Sequence, residues 1–150
     1  MKRRDILVTI TSLFALARSS PSQASGPLVT VFKDATCGCC GKWVEHLRAN
    51  AFTVKVQEVN DTSAYQRQYR VPRSMVSCHT AIVNGYTIAG HVPAADIKRL
   101  LSERPKAVGL AVPGMPVGTP GMEAAHSDAY SVLAFDESGH TSVYAHYPAR

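Results

Sequence analysis

Four cysteines are the residues of this sequence with the clearest chemistry, and three of them lie within four positions. These three form the run Cys37-Gly38-Cys39-Cys40, and the fourth thiol is Cys78. Thiolates held so close together repel one another unless a disulfide forms or a cation neutralises them. Soft sulfur ligands select copper(I) over hard cations. The cluster therefore predicts a soft-metal site with copper(I) as the favoured ion.

Other chemistries also fit these cysteines. Cys37 and Cys40 have the C-x-x-C spacing of a redox dithiol, which predicts a thiol-disulfide oxidoreductase. Four cysteines in an exported chain are also enough for two structural disulfides or for an iron–sulfur cluster. However, a dithiol leaves Cys39 and Cys78 without a role, structural disulfides are usually spread along the chain, and the spacing matches no ferredoxin pattern. These observations favour metal binding and keep the oxidoreductase as the alternative.

Two methionines stand in a loop that could present them to a metal ion. Pro113-Gly114-Met115 and Pro120-Gly121-Met122 repeat one tripeptide within Pro105–Met122, a stretch too rich in Pro and Gly for a regular element. Methionine inside a helix usually fills a core, and Met75 is interpreted in that way. Met115 and Met122, held on Pro-Gly turns, are instead candidate thioether ligands for copper(I).

The six histidines are weaker candidates than the sulfur residues. His79 neighbours Cys78, but it is predicted to point to the opposite face if the strand already includes Cys78. His79, His46 and His126 are each interpreted as surface or packed histidines. No role is assigned to His91, His140 and His146.

The first 24 residues predict a cleaved export signal. Met1-Lys2-Arg3-Arg4 is basic, Ile6–Ala17 is apolar and uncharged, and Ser22-Gln23-Ala24 suits a signal peptidase. Residues 25–150 then form one domain, located in the periplasm, with no later stretch long enough to span a membrane.

Charge gives little evidence for other functions. The formal net charge of +5 falls to +2 without residues 1–24. No stripe of Lys and Arg with interleaved aromatic residues is present, so nucleic acid is not an expected partner. Hydrolase arrangements and phosphate loops are also absent from the sequence, and no catalytic residue is assigned.

Hydrophobic patterning predicts an α/β domain with a β-α-β-α-β-β-α core. Its elements are strands at 28–32, 52–59, 80–83 and 86–89 and helices at 39–49, 63–70 and 93–103. Asn84-Gly85 predicts a tight hairpin between the third and fourth strands. After the Pro/Gly/Met-rich loop, 130–135 and 141–147 predict a C-terminal β-hairpin. A C-x-x-C motif at the first strand-to-helix turn is typical of thioredoxin-like domains, although these place a proline before the third strand where this chain has Cys78.

Four separated motifs carry a resemblance to one family. They are Cys37-Gly38-Cys39-Cys40, Ser77-Cys78-His79-Thr80, Gly90-His91-Val92-Pro93 and Ala111-Val112-Pro113-Gly114-Met115-Pro116. With these motifs the chain resembles the CopG-type periplasmic copper-resistance proteins of bacteria from about Leu28 to Tyr147. Thr119 is a small departure, since the family often has Ser at that position.

The resemblance implies a thioredoxin-like fold that binds copper. The thiolate ligands it implies are Cys37, Cys39, Cys40 and Cys78, with Met115 and Met122 as thioether neighbours. It further implies several copper ions and a role either as a sequestering agent or as a copper oxidoreductase that interconverts copper(I) and copper(II). Other periplasmic copper-handling proteins are the expected partners.

Overall fold

One seven-stranded mixed sheet and three α-helices make up the computed structural model, which describes residues 25–150. The strands are β1 (Leu28–Lys33), β2 (Thr53–Glu58), β3 (His79–Val83), β4 (Tyr86–Ala89), β5 (Gly109–Ala111), β6 (Tyr130–Phe135) and β7 (Thr141–Tyr147). The helices are α1 (Gly38–Ala49), α2 (Thr62–Gln68) and α3 (Ala94–Glu103), and a 3₁₀ turn spans Arg73–Met75. The predicted export signal, 1–24, lies outside the described residues.

The first seven regular elements follow the predicted β-α-β-α-β-β-α order. In the sheet they give the strand order β2-β1-β3-β4, with β1 parallel to β2 and antiparallel to β3. Asn84 and Gly85 both have positive φ, as a two-residue hairpin between β3 and β4 requires. The predicted thioredoxin-like α/β fold is therefore confirmed.

The second half of the sheet contains one strand that the sequence did not predict. Gly109–Ala111, inside the stretch interpreted as wholly irregular, forms β5 between β4 and β6. That part of the prediction was wrong because neighbouring strands on both sides stabilise this short segment. The C-terminal hairpin of β6 and β7 has the predicted bounds and extends the sheet to its edge.

The core forms where the apolar faces of the helices meet the sheet. On α1, Trp43, Val44 and Leu47 are buried, as expected for residues spaced by about one turn. On α3, Ile97 and Leu100 are buried and belong to the same cluster. None of the helices in the described part has the length and apolar character needed to cross a bilayer.

Gly109 offers a test of how tightly β5 is packed against β4. A Cβ at this position would lie against the carbonyl group of Thr87, a backbone atom that cannot move aside without breaking the strand pairing. We expect Gly109→Ala to lower the free energy of unfolding by about 2 kcal/mol or more. Urea unfolding followed by circular dichroism measures this change.

The matched control is Gly41→Ala. Gly41 lies in α1, and an added Cβ would meet no atom within 4 Å. Alanine should leave stability unchanged or raise it by up to about 1 kcal/mol, because it favours the helix. Equal unfolding free energies for the two variants would contradict the tight packing of β5.

Candidate metal centre

The four cysteines come together at the start of α1. Cys37 is the N-cap residue of the helix, Cys39 and Cys40 lie in its first turn, and Cys78 directly precedes β3. Lys33 pairs with His79 where β1 meets β3, so Cys78 lies beside the loop that leads into the helix. One ligand atom from each cysteine lies within 4.8 Å of those of the others. The predicted convergence of all four sulfurs is thus present.

Two of the four sulfurs are joined in the structure. A disulfide links Cys37 and Cys40, whose Cα atoms are 5.4 Å apart, whereas Cys39 and Cys78 are free. The Sγ atoms of Cys37 and Cys39 are 3.6 Å apart, and Cys40 Sγ is 3.9 Å from the carbonyl oxygen of Cys78. In this form the cluster offers two free thiols, and reduction of the disulfide is needed to supply four.

Two histidines also contact the cluster at Cys78. Its Sγ lies 3.3 Å from His79 Nδ1 and 3.1 Å from His91 Nε2. The expectation that His79 points away from Cys78 applied only if Cys78 already lay in the strand, and β3 begins at His79, so strand alternation does not separate the two side chains. The His79 ring is buried, which agrees with its interpretation as a packed histidine. The sequence analysis assigned no role to His91, although the register of the β3–β4 hairpin places it near Cys78. Thr80 pairs with Ala89, and continuing that register places Cys78 opposite His91.

The surroundings of these groups keep them uncharged. Burial raises the pKa of the Cys78 thiol to about 11, and the negative charge of Cys39 adds to the shift. Burial lowers the pKa of His79 to about 3, and it also lowers the pKa of His91. At neutral pH the site therefore presents a protonated Cys78 and two neutral imidazoles, which are nitrogen ligands in the form that metals bind.

The remaining histidines lie away from the sulfur cluster or have another partner. His46 Nε2 accepts a hydrogen bond from the backbone N–H of Ala94, 3.0 Å away, at the start of α3. This packed role agrees with the interpretation from the sequence. The side chains of His126, His140 and His146 are exposed.

The methionine loop folds back over the start of α1. Gly121 has a φ of 88°, and a Cβ there would come within 2.8 Å of the Cys39 carbonyl oxygen and the Trp43 backbone nitrogen. Glycine thus permits the loop to approach the helix, and Met122 and Cys39 line one cavity of about 420 Å³. Met122 therefore lies on the same cavity as Cys39.

Met115 is placed differently. The neighbouring Gly114 carbonyl accepts a hydrogen bond of 2.7 Å from Ser77 Oγ, next to Cys78, but 52% of Met115 is exposed. Met75, interpreted as core filler, is buried against Phe135 and its neighbours.

Comparison with known proteins identifies the family. The family model described as "Protein of unknown function, DUF411" matches residues 75–122. Form 1 of copper resistance protein copG, a solved structure, is 51% identical to the chain with a TM-score of 0.77, and the match covers 81% of this chain and 97% of that one. Form 2 is 50% identical with a TM-score of 0.79, covering 82% and 99%. No curated protein matches the chain.

The protein is thus a thioredoxin-like α/β domain with a cysteine cluster at its first strand-to-helix turn. It belongs to the CopG family of copper resistance proteins. This confirms the resemblance seen in the four sequence motifs.

The raised pKa of Cys78 predicts slow alkylation at neutral pH. Only the thiolate reacts, so the rate for Cys78 in the folded, metal-free protein should rise about tenfold per pH unit and level off near pH 11. Cys39→Ser should move this midpoint down, because it removes the second cause of the shift. Peptide mass spectrometry after timed iodoacetamide labelling measures the rate.

Denatured protein provides the control for this labelling. Unfolding removes the burial that raises the pKa, so Cys78 should then react with a midpoint near the ordinary thiol value. A midpoint near neutral pH in the folded protein would contradict the half-buried, protonated thiol described above.

Proposed function

We propose that this protein binds copper(I) through the thiolates of Cys37, Cys39, Cys40 and Cys78 and acts in copper resistance. The observation that carries this proposal is the convergence of four sulfur ligand atoms within 4.8 Å of one another. Sulfur ligands favour copper(I), and thiolates that bridge neighbouring ions let a small cluster bind several of them. Membership of the copper resistance family supports the choice of metal.

Met115 and Met122 complete the proposed site as thioether ligands. Met122 shares a cavity with Cys39, and it is the better placed of the two. Met115 is half-exposed beside the loop that ends at Cys78, so it is suited to contact copper at the entrance. An uncharged sulfur ligand favours the reduced ion, since it adds no negative charge to stabilise copper(II).

Interconversion of copper(I) and copper(II) is part of the proposal. The disulfide between Cys37 and Cys40 marks a pair of thiols that can exchange electrons. Two copper(II) ions oxidising these thiols yield two copper(I) ions, one disulfide and two protons. In the reverse reaction two copper(I) ions reduce the disulfide and become copper(II), so the same residues would serve as ligands and as electron donors or acceptors.

The proposed location is the periplasm, after removal of 1–24 as an export signal. The proposed partners are copper ions and other periplasmic copper-handling proteins. Export to an oxidising compartment agrees with the disulfide between Cys37 and Cys40.

Thiol-disulfide exchange is the second candidate function, and the same disulfide favours it. Its position at the first strand-to-helix turn is that of a redox dithiol. Against it, Cys78 lies beside the pair, with its sulfur in contact with two histidines. An exchange enzyme has no need of Cys39 or Cys78, so replacing either should leave its activity almost unchanged.

Copper(I) stoichiometry separates the two candidates. Fully reduced protein, loaded anaerobically with excess copper(I) and desalted, should retain about two or more ions per chain. Cys78→Ser should lose most of them, because it removes the one thiolate that does not come from the α1 turn. Metal analysis against protein concentration measures this, with Ser74→Ala, an exposed neighbour, as the control.

Wild-type protein that retains no copper, yet catalyses insulin reduction equally well with and without Cys78→Ser, would overturn the proposal. That result would establish the dithiol function in its place.

The methionines can be tested separately from the cysteines. Met122→Leu keeps the side-chain volume but removes the thioether, so the affinity for copper(I) should fall by about tenfold or more while stability changes little. Met115→Leu should have a smaller effect because the side chain is half-exposed. Competition with a chromogenic copper(I) chelator gives the affinities.

Met75→Leu is the matched control because Met75 is buried in the core away from the loop. It should leave copper affinity unchanged. If Met122→Leu behaves like this control, Met122 is not a ligand.

A further inference from the structure

We propose that Cys78, His79 and His91 form a second metal site, which prefers a divalent ion such as Cu²⁺ or Zn²⁺. This site shares the sulfur of Cys78 with the cysteine cluster but takes its other ligands from imidazole nitrogen. It is separate from the proposed copper(I) binding, since it needs none of the cysteines of the α1 turn.

The three donor groups already converge on one point. The Sγ of Cys78 lies 3.1 Å from His91 Nε2 and 3.3 Å from His79 Nδ1, and one ligand atom from each of the three residues lies within 4.8 Å of the others. A sulfur and a nitrogen bound to one tetrahedral ion stand about 3.5 Å apart. The two sulfur–nitrogen distances therefore need to lengthen by only a few tenths of an ångström to accept an ion.

The hydrogen bond at the far side of the His91 ring fixes which nitrogen is free to bind. His91 Nδ1 lies 2.7 Å from the carbonyl oxygen of Pro120, and a carbonyl only accepts hydrogen bonds. Nδ1 therefore carries the hydrogen, and in the neutral ring Nε2 has a lone pair facing Cys78. A backbone carbonyl that holds the second nitrogen in this way is typical of metal-binding histidines.

The rings are also held in place by packing. His79 and His91 are fully buried, and their ring centroids are 5.1 Å apart in an edge-on arrangement. His79 also packs against Trp43, with centroids 4.3 Å apart. Because the rings are ordered before an ion arrives, little freedom is lost on binding.

The donor set determines the class of ion. One thiolate and two imidazoles form a borderline set, which suits Cu²⁺ and Zn²⁺ better than Mg²⁺ or Ca²⁺. Within the described residues, the group around Cys78 contains no carboxylate oxygen that a hard ion would prefer. Three protein ligands also leave one position of a tetrahedral ion open to water or another ligand.

The oxidised protein retains this site. The disulfide removes Cys37 and Cys40 as thiolate ligands, but Cys78 stays free. The protein with its disulfide intact should therefore still bind a divalent ion, whereas the four-sulfur cluster requires reduction.

Cobalt(II) is a suitable probe because it reports tetrahedral thiolate ligation by absorption and does not oxidise thiols. Anaerobic titration of the disulfide form should give one equivalent of bound cobalt with a sulfur-to-cobalt charge-transfer band, and Zn²⁺ should displace it. Cys78→Ser should abolish the band. His91→Asn, whose amide can still donate to the Pro120 carbonyl, should weaken cobalt binding by about tenfold or more.

His126→Gln is the control for the histidine variant, since His126 is exposed and outside the group. X-ray absorption of the wild-type cobalt form gives a test without any variant, and it should show both sulfur and imidazole scattering. A cobalt shell without imidazole, or no cobalt bound by the disulfide form, overturns the site. If the reduced protein binds copper(I) but the disulfide form binds no cobalt, only this second site is overturned. If the disulfide form binds cobalt but the reduced protein binds no copper(I), the second site is supported and the proposed copper(I) function is overturned.

Discussion

The buried indole of Trp43 connects the parts of the chain that supply sulfur and nitrogen. It extends from α1 and packs against the His79 ring, and its Nε1 donates a hydrogen bond of 2.9 Å to the Val92 carbonyl, next to His91. The backbone nitrogen of Trp43 lies next to Gly121 of the methionine loop. A Cβ at Gly121 would come within 2.8 Å of this nitrogen, so only glycine lets the loop approach here. The indole thus connects α1 to the start of β3 and to the segment after β4, and the backbone of the same residue lies next to the loop. The metal sites proposed above depend on such a connection, because each ligand must be placed within about half an ångström.

Burial of the proposed ligands keeps them uncharged until a metal ion binds. A buried thiolate is costly, so Cys78 remains protonated until a cation replaces its proton. The imidazoles of His79 and His91 are likewise neutral, and they supply lone pairs without adding charge. Ion binding at this place must therefore release protons, and affinity should rise with pH as the thiol becomes easier to deprotonate. The same environment disfavours hard cations, because the group around Cys78 offers sulfur and nitrogen and, among residues 25–150, includes no carboxylate.

The local signals in the sequence were sufficient for most of the fold, and for the convergence of the sulfurs, but not for the histidines. Apolar periodicity and the Asn84-Gly85 turn act over a few residues, so the first seven elements could be predicted. Strand β5 could not, since Gly109 has little tendency to form a strand and its pairing with β4 and β6 creates one. The position of His91 follows from the hairpin register rather than from its neighbours in sequence. Extending the pairing from the two-residue turn would have placed it opposite Cys78.

The residue before β3 is where this domain departs most from a disulfide-exchange enzyme. Thioredoxin-like oxidoreductases need an open peptide edge at that place, next to the dithiol, so that a substrate chain can lie against it. Here the position holds Cys78, whose sulfur faces two imidazoles. With its pKa raised to about 11, this thiol is a poor nucleophile at neutral pH, yet it becomes a strong ligand once a metal ion displaces its proton. The half-buried sulfur of Cys78 thus occupies the place of a substrate-binding edge, which favours the proposed metal binding over disulfide exchange even though Cys37 and Cys40 form a disulfide.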